Sequence, residues 1–242
     1  MRYRREETVI HLARHGQTQN PLGLVKGNLP GFGLSKIGRD QVNEAALHLK
    51  RAHPSAIFSS PLQRSRETAR IFLAHFPTSS SGILFSLREW DYPRWENIPL
   101  AEVKARYPAE WHAYLTHATS LNDPAGETLI SSQHRMRAEI ERLRHRFVGE
   151  TIILCSHGDP ILSVRAYFEH INLNHFKTME CELGSLTTLT FDAPHDWPTV
   201  TYWAPATGPH QDEDERGGAR MHRIGQPLRA AQLGSATHGR WG

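Results

Sequence analysis

Short apolar runs alternate with longer amphipathic stretches along this chain, and that alternation predicts an α/β fold. Strands are expected at residues 8–13, 56–58, 83–84, 151–155, 185–191 and 199–203. Helices are expected at 35–52, 62–75, 127–147 and 160–168, with one or two short ones between 100 and 116. In the longest of these, Leu129, Met136, Ile140, Leu143 and Phe147 recur at helical spacing, which marks a core stripe. Ser35 and Pro160 suit helix starts. The stretch TSSSG at 78–82 reads as a surface loop. After Trp203 the sequence turns rich in Gly, Pro and charge and loses any sustained apolar period, so 1–203 is expected to form the folded domain and 204–242 a flexible tail.

Composition narrows the class. A chain of 242 residues with 38% hydrophobic residues can bury a sizeable core and is not disordered throughout. No apolar run approaches the ~20 residues that span a bilayer. The amino terminus shows no signal-peptide pattern, so a cytoplasmic location away from membranes is expected. Cys155 and Cys181 are too few for a disulfide scaffold or a four-cysteine zinc site and are expected to be reduced. The net charge of +3 is spread along the chain rather than gathered in a basic tract, which argues against a nucleic-acid partner. Of the 28 basic residues 23 are Arg, and guanidinium groups match phosphate oxygens bidentately. The 16 histidines form no HExxH and no zinc-spaced cluster with cysteine, so neither a metal nor another cofactor is expected. His210, His222 and His238 in the tail read as incidental.

Candidate chemistry collects at predicted strand ends, where ligands gather in open α/β sheets. The first strand runs into Arg14-His15-Gly16. The second leads through Ser59-Ser60-Pro61-Leu62 to Arg64, in the first turn of a helix whose amino end favours anions. The strand TIILC leads to Ser156-His157-Gly158. A lone His or Arg is usually structural or solvated, but two imidazoles and two guanidiniums at three strand ends are hard to explain as packing.

These segments, RHG at 14–16, SSPLQRSRETA at 59–69 and SHG at 156–158, resemble the histidine phosphatase superfamily, in its phosphoglycerate-mutase-like branch. The resemblance extends to LRE at 87–89, Trp95-Glu96 and PAGET at 124–128, in the family's order, and covers roughly residues 8–191. It implies a three-layer α/β/α sandwich around a mostly parallel sheet. It further implies a metal-independent phosphomonoesterase of histidine acid phosphatase type, acting on a small phosphorylated substrate. His15 would be the nucleophile that becomes phosphohistidine, and a neutral imidazole suits that role near pH 7. Arg14, Arg64 and His157 would surround the phosphoryl oxygens. Glu89 would protonate the leaving oxygen and later activate water; Asp91 is its nearest rival, and Glu127 reads as a supporting or helix-start carboxylate.

The chain departs from the family pattern in its first loop. Gln17 stands where Glu is common, and the phosphate-contacting Asn, usually six positions after the nucleophile, appears as Asn20, five positions after. Lys26, in the following loop, faces either substrate or solvent. Glu89 and Glu127 are 38 positions apart, a spacing like that of the family's phosphatases rather than its mutases, whose insertion there is long. The intervening lid, about 90–126, is rich in aromatics and is expected to cover a substrate with an apolar or planar part. Phosphoglycerate mutase-type transfer and a non-catalytic phospho-ligand-binding module are the alternatives; the second predicts a broken catalytic set.

Overall fold

The computed structural model describes residues 7–192 and 197–208. Six strands form one sheet in the order β3-β2-β4-β1-β5-β6. They are β1 (Thr8–Arg14), β2 (Ala56–Ser59), β3 (Ser80–Ile83), β4 (Thr151–Ser156), β5 (Leu186–Phe191) and β6 (Thr199–Trp203). The pairings among β1, β2, β3 and β4 are parallel; β5 runs antiparallel to both β1 and β6. Among the described residues six α-helices accompany them: α1 (Lys36–His48), α2 (Gln63–His75), α3 (Leu100–Arg106), α4 (Pro108–Thr116), α5 (Leu129–Arg146) and α6 (Gly158–Phe168).

Alternation along the central strands builds two cores. Ala13, Ile57, Ile153 and Cys155 point to one side and pack with Val42, Ala45 and Ala46 of α1 and Phe72 of α2. Ile10, Leu12, Ile152 and Leu154 point to the other, where Met136, Ile140 and Leu143 of α5 meet Ile161 and Val164 of α6. The result is the three-layer α/β/α sandwich with a mostly parallel sheet. The strand ends after Arg14, Ser59 and Ser156 lie side by side, because β1 and β2 both pair with β4 in parallel register.

Several boundaries differ from the sequence expectation. Residues 80–83, expected to be mostly loop, form β3, whose backbone pairs with β2 while its side chains stay largely exposed. With no buried face, an edge strand of this kind shows no alternation to read. Ser35 is the N-cap of α1, its hydroxyl accepting from the Gly38 N–H at 3.0 Å. Thr128, not Glu127, caps α5, its hydroxyl accepting from the Ser131 N–H at 3.1 Å. α6 begins two residues earlier than expected, at Gly158.

The packed body also continues past Trp203. The Ala206 N–H and the Thr207 hydroxyl donate to the Glu44 carboxylate at 2.7 and 2.8 Å, and Gln41 Nε2 donates to the Thr207 carbonyl at 3.1 Å. Residues 204–208 thus dock on α1, while the remainder of the expected tail, 209–242, lies outside the described residues.

Candidate active site

His15 follows β1 directly and is clamped through its backbone. Its N–H donates to Ser156 O at 3.2 Å and its carbonyl accepts from the Gly184 N–H at 3.1 Å. The next residue must be glycine, since a Cβ on Gly16 would lie 2.2 Å from the Gly38 carbonyl oxygen of α1. The ring's tautomer is set locally: Nδ1–H donates to the Gly16 carbonyl at 2.8 Å, which leaves the Nε2 lone pair available. Burial, then the charges of Arg64, Lys26 and Arg14, hold the imidazole pKa well below its usual value. The ring is therefore neutral at physiological pH, as a nucleophile requires.

Arg64, in the first turn of α2, is 1% exposed. Its Nε donates to His157 Nδ1 at 3.2 Å and Nη2 to the Gly27 carbonyl at 2.7 Å. Because His157 accepts at Nδ1, its Nε2–H donates to Ser60 Oγ, 2.7 Å away. The His157 ring stands edge-on to His15, with centroids 5.3 Å apart. Both its nitrogens are engaged within the protein, so in this arrangement His157 aims Arg64 and stands against the His15 ring. The Arg14 guanidinium lies over Gly158, where a Cβ would come within 3.2 Å of Cζ, and donates to the Cys181 carbonyl.

Lys26 belongs to this cluster rather than to the surface. It is 6% exposed, its Nζ donates to Thr18 Oγ1 at 3.3 Å, and its charge reaches both imidazoles. Asn20 is different: its amide donates to the Leu24 carbonyl at 2.9 Å and accepts from the Leu24 N–H at 3.0 Å. The shortened spacing places it inside a turn, where it braces residues 20–24. Gln17 is likewise occupied, accepting from the Ser35 hydroxyl at 2.7 Å.

Glu89 arrives on the segment after β3. Its carbonyl accepts from Arg135 Nη2 of α5 at 2.9 Å and from Asn28 Nδ2 at 3.3 Å. Its own carboxylate accepts from the Trp90 N–H at 2.8 Å. Burial, and after it the nearby Asp159 carboxylate, raise the Glu89 pKa to about 7, with Arg64 and Arg14 pulling the other way. A carboxyl poised there can both donate and accept a proton at neutral pH. Neighbouring cations are committed elsewhere: Arg88 pairs with Glu127 at 3.4 Å and Arg94 with Glu110 at 3.0 Å. Glu127 is a brace, gripped by Arg135 through Nε and Nη2. Asp91 contributes its backbone carbonyl, which accepts from the Glu127 N–H at 2.9 Å.

The lid aromatics pack largely on one another. Trp90, Tyr92 and Trp95 are buried, and they pack with Trp111 and Tyr114 at centroid distances of 4.7 to 6.0 Å. They spend their apolar surface on the lid's own core. Among the described residues, no three of His, Cys, Asp and Glu converge as metal ligands, and no helix is long and apolar enough to cross a membrane.

Comparison with known proteins bears on this constellation. A sequence model of the histidine phosphatase superfamily (branch 1) matches residues 10–204. The chain belongs to the histidine phosphatase superfamily. Within it, an uncharacterised protein of Mycobacterium tuberculosis is 30% identical over 189 residues, covering 77% of this chain and 92% of that one. Phosphoserine phosphatase 1 of Hydrogenobacter thermophilus is 27% identical over 179 residues, 74% of this chain and 84% of the relative. The fold matches that of a mycobacterial glucosyl-3-phosphoglycerate phosphatase with a TM-score of 0.72 at 23% identity, over 83% of this chain and all of the other.

Ser60, Arg135 and Asp159 emerge only from the structure. Ser60 and Asp159 stand inside or beside the motifs, whereas Arg135 lies mid-helix with no local signal of its contact to Glu89.

Proposed function

We propose that this protein hydrolyses small phosphomonoesters through a covalent phosphohistidine on His15, with Glu89 as acid and then base. The observation that carries the reading is the fixed tautomer of a neutral His15, whose nucleophilic Nε2 stands among the buried cations Arg14, Arg64 and Lys26.

Attack by Nε2 forms the N–P bond as the ester P–O bond breaks. The departing oxygen takes the proton of Glu89 and leaves as an alcohol. Transfer of this kind is loose, so the enzyme's main task is to align the reactants and compensate the phosphoryl charge, which suits three fixed cations. Water then gives a proton to the Glu89 carboxylate and attacks phosphorus, the N–P bond breaks, and neutral His15 is restored. His157 holds Arg64 in place throughout. The short lid supports water rather than a second sugar hydroxyl as acceptor. The names of relatives, phosphoserine phosphatase and glucosyl-3-phosphoglycerate phosphatase, support a small phosphomonoester as substrate. Cytoplasmic action without a metal completes the reading.

Hydrolysis of a panel of phosphoserine, phosphoglycerates, sugar phosphates, nucleotides and phosphopeptides in EDTA tests it. Release of inorganic phosphate from one or more small esters is the expected result. Activity lost in EDTA and restored by zinc or magnesium, or phosphoryl transfer between phosphoglycerate positions without net release, overturns it.

A further inference from the structure

Glu89 lies on a stretch that belongs to no strand or helix, between the short 3-10 turns Phe85–Leu87 and Pro93–Trp95. Its carboxylate accepts from the N–H of the next residue, Trp90, which fixes the side chain only against its own backbone. Where the carboxyl stands relative to His15 therefore depends on what holds the main chain. Arg135 of α5 donates from Nη1 to the Ser86 carbonyl at 2.6 Å and from Nη2 to the Glu89 carbonyl at 2.9 Å, which Asn28 Nδ2 also approaches at 3.3 Å. Glu127, just ahead of the Thr128 cap, takes the other edge of the same guanidinium: its carboxylate accepts from Nε at 3.1 and 3.0 Å and from Nη2 at 2.5 Å. Ser132, one turn before Arg135, also accepts from Nη2, at 3.0 Å. The backbone of Glu127 adds two further ties, its N–H donating to the Asp91 carbonyl at 2.9 Å and its carbonyl accepting from Trp90 Nε1 at 2.8 Å.

A guanidinium presents its donors in a rigid planar fork. With one edge closed by Glu127, the remaining donors meet two carbonyls three residues apart, so Ser86 and Glu89 are set at a fixed spacing. The Arg135 and Glu127 side chains are 14% and 11% exposed. A buried pair of this kind adds little stability over apolar residues of similar size, because desolvation offsets its attraction. Its contribution is geometric. We propose that Arg135, oriented by Glu127, is a positioning residue for acid catalysis: it fixes the main chain of Ser86–Glu89 and so holds the Glu89 carboxyl where the leaving oxygen takes its proton. Arg135 reaches Glu89 through the backbone carbonyl, so it governs where the acid stands, whereas Arg14 and Arg64 are held by separate bonds to Cys181, His157 and Gly27.

The proposal rests on Glu89 being the acid, and kcat/KM of the full-length protein for an alkyl phosphate and for para-nitrophenyl phosphate tests it. That constant covers the steps through phosphorylation of His15 and leaves out the later attack by water. Arg135→Lys keeps the positive charge that reaches His157 and can still pair with Glu127, but a single ammonium cannot span the two carbonyls. Misplacing a reacting group by about 1 Å costs about 10²-fold, so the alkyl ester is expected to lose about 10- to 100-fold. The aryl ester needs little protonation, and its loss should be about tenfold smaller. In the Glu89→Gln background Arg135→Lys should take nothing further from the alkyl ester, because the acid it positions is already gone. Equal losses on the two esters, as general loosening gives, a full further loss in the Glu89→Gln background, or no loss at all overturns the proposal. If Arg135→Lys fails to fold, Glu127→Gln, which keeps the shape and slackens the grip on the fork, carries the same comparison. If Glu89→Gln itself leaves the alkyl-to-aryl ratio of the wild-type protein in place, it is the assignment of Glu89 that fails, and the proposal with it.

Discussion

His11 allows burial to be weighed against protonation four residues before His15 and outside the proposed reacting set. Its ring is buried in β1, with Nδ1 2.8 Å from Thr188 Oγ1 on β5. Burial first, and the charge of His48 second, lower its pKa from 6.5 to about 4. The unfolded chain therefore takes up a proton near pH 6.5 that the folded chain refuses until about pH 4. The stability linked to His11 is complete above the unfolded value and drains away as pH falls between the two. At about 1.4 kcal/mol per pKa unit, this single site is worth about 3 kcal/mol across the window. His15 and His157, also held well below their usual value, push in the same direction, so the whole protein should be acid-sensitive there. Comparison with His11→Gln isolates the one site. Urea unfolding from about pH 4 to about pH 8 should show the wild-type protein losing about 3 kcal/mol more than the variant on acidification. Curves that run parallel across the window would refute the claim that burial keeps His11 neutral, and would weaken the same claim for His15.

Two further perturbations test the surroundings. Lys26→Gln removes a buried cation from beside both imidazoles and should lower kcat/KM by about 10- to 100-fold, the worth of one charge-assisted hydrogen bond, with the urea midpoint little changed; unaltered kinetics would return Lys26 to a structural role. Compared with truncation after Gly208, truncation after Trp203 deletes the hydrogen bonds to Glu44 and Gln41 and should cost about 1–3 kcal/mol; equal melting temperatures for the two would show that the docked segment contributes nothing.

What the sequence made legible was chemistry already gathered by local pattern. Arg14, His15, Arg64 and His157 each sit at a strand end or helix start, so finding the strands located the residues, and parallel pairing of β1 and β2 with β4 brings them together. Only the end of the edge strand β3 was legible, because its side chains face solvent and its pairing is purely backbone. The shifted spacing of Asn20 was visible in the sequence, but its bracing of the Leu24 backbone was not, since residue type alone does not say where an amide folds. The grip of Arg135 on Glu89 and the pinning of Asp159 by Tyr114 and Lys177 join residues far apart in the chain. No period or motif signals such contacts. The lid aromatics pack on one another, and composition does not tell a ring that faces a ligand from one that faces its neighbours.

The central claim is the covalent intermediate on His15, and Glu89→Gln brings it within reach. The amide cannot protonate a leaving group, so an alkyl phosphate should lose roughly 10²–10⁴-fold in rate. Para-nitrophenyl phosphate needs little protonation and should still phosphorylate His15, after which water attack lacks its base. Rapid quenching and peptide mapping of the variant with a radiolabelled aryl phosphate should then find acid-labile, alkali-stable phosphate on His15, and none in the His15→Ala protein. Label on any other residue, or turnover by His15→Ala, would contradict the account.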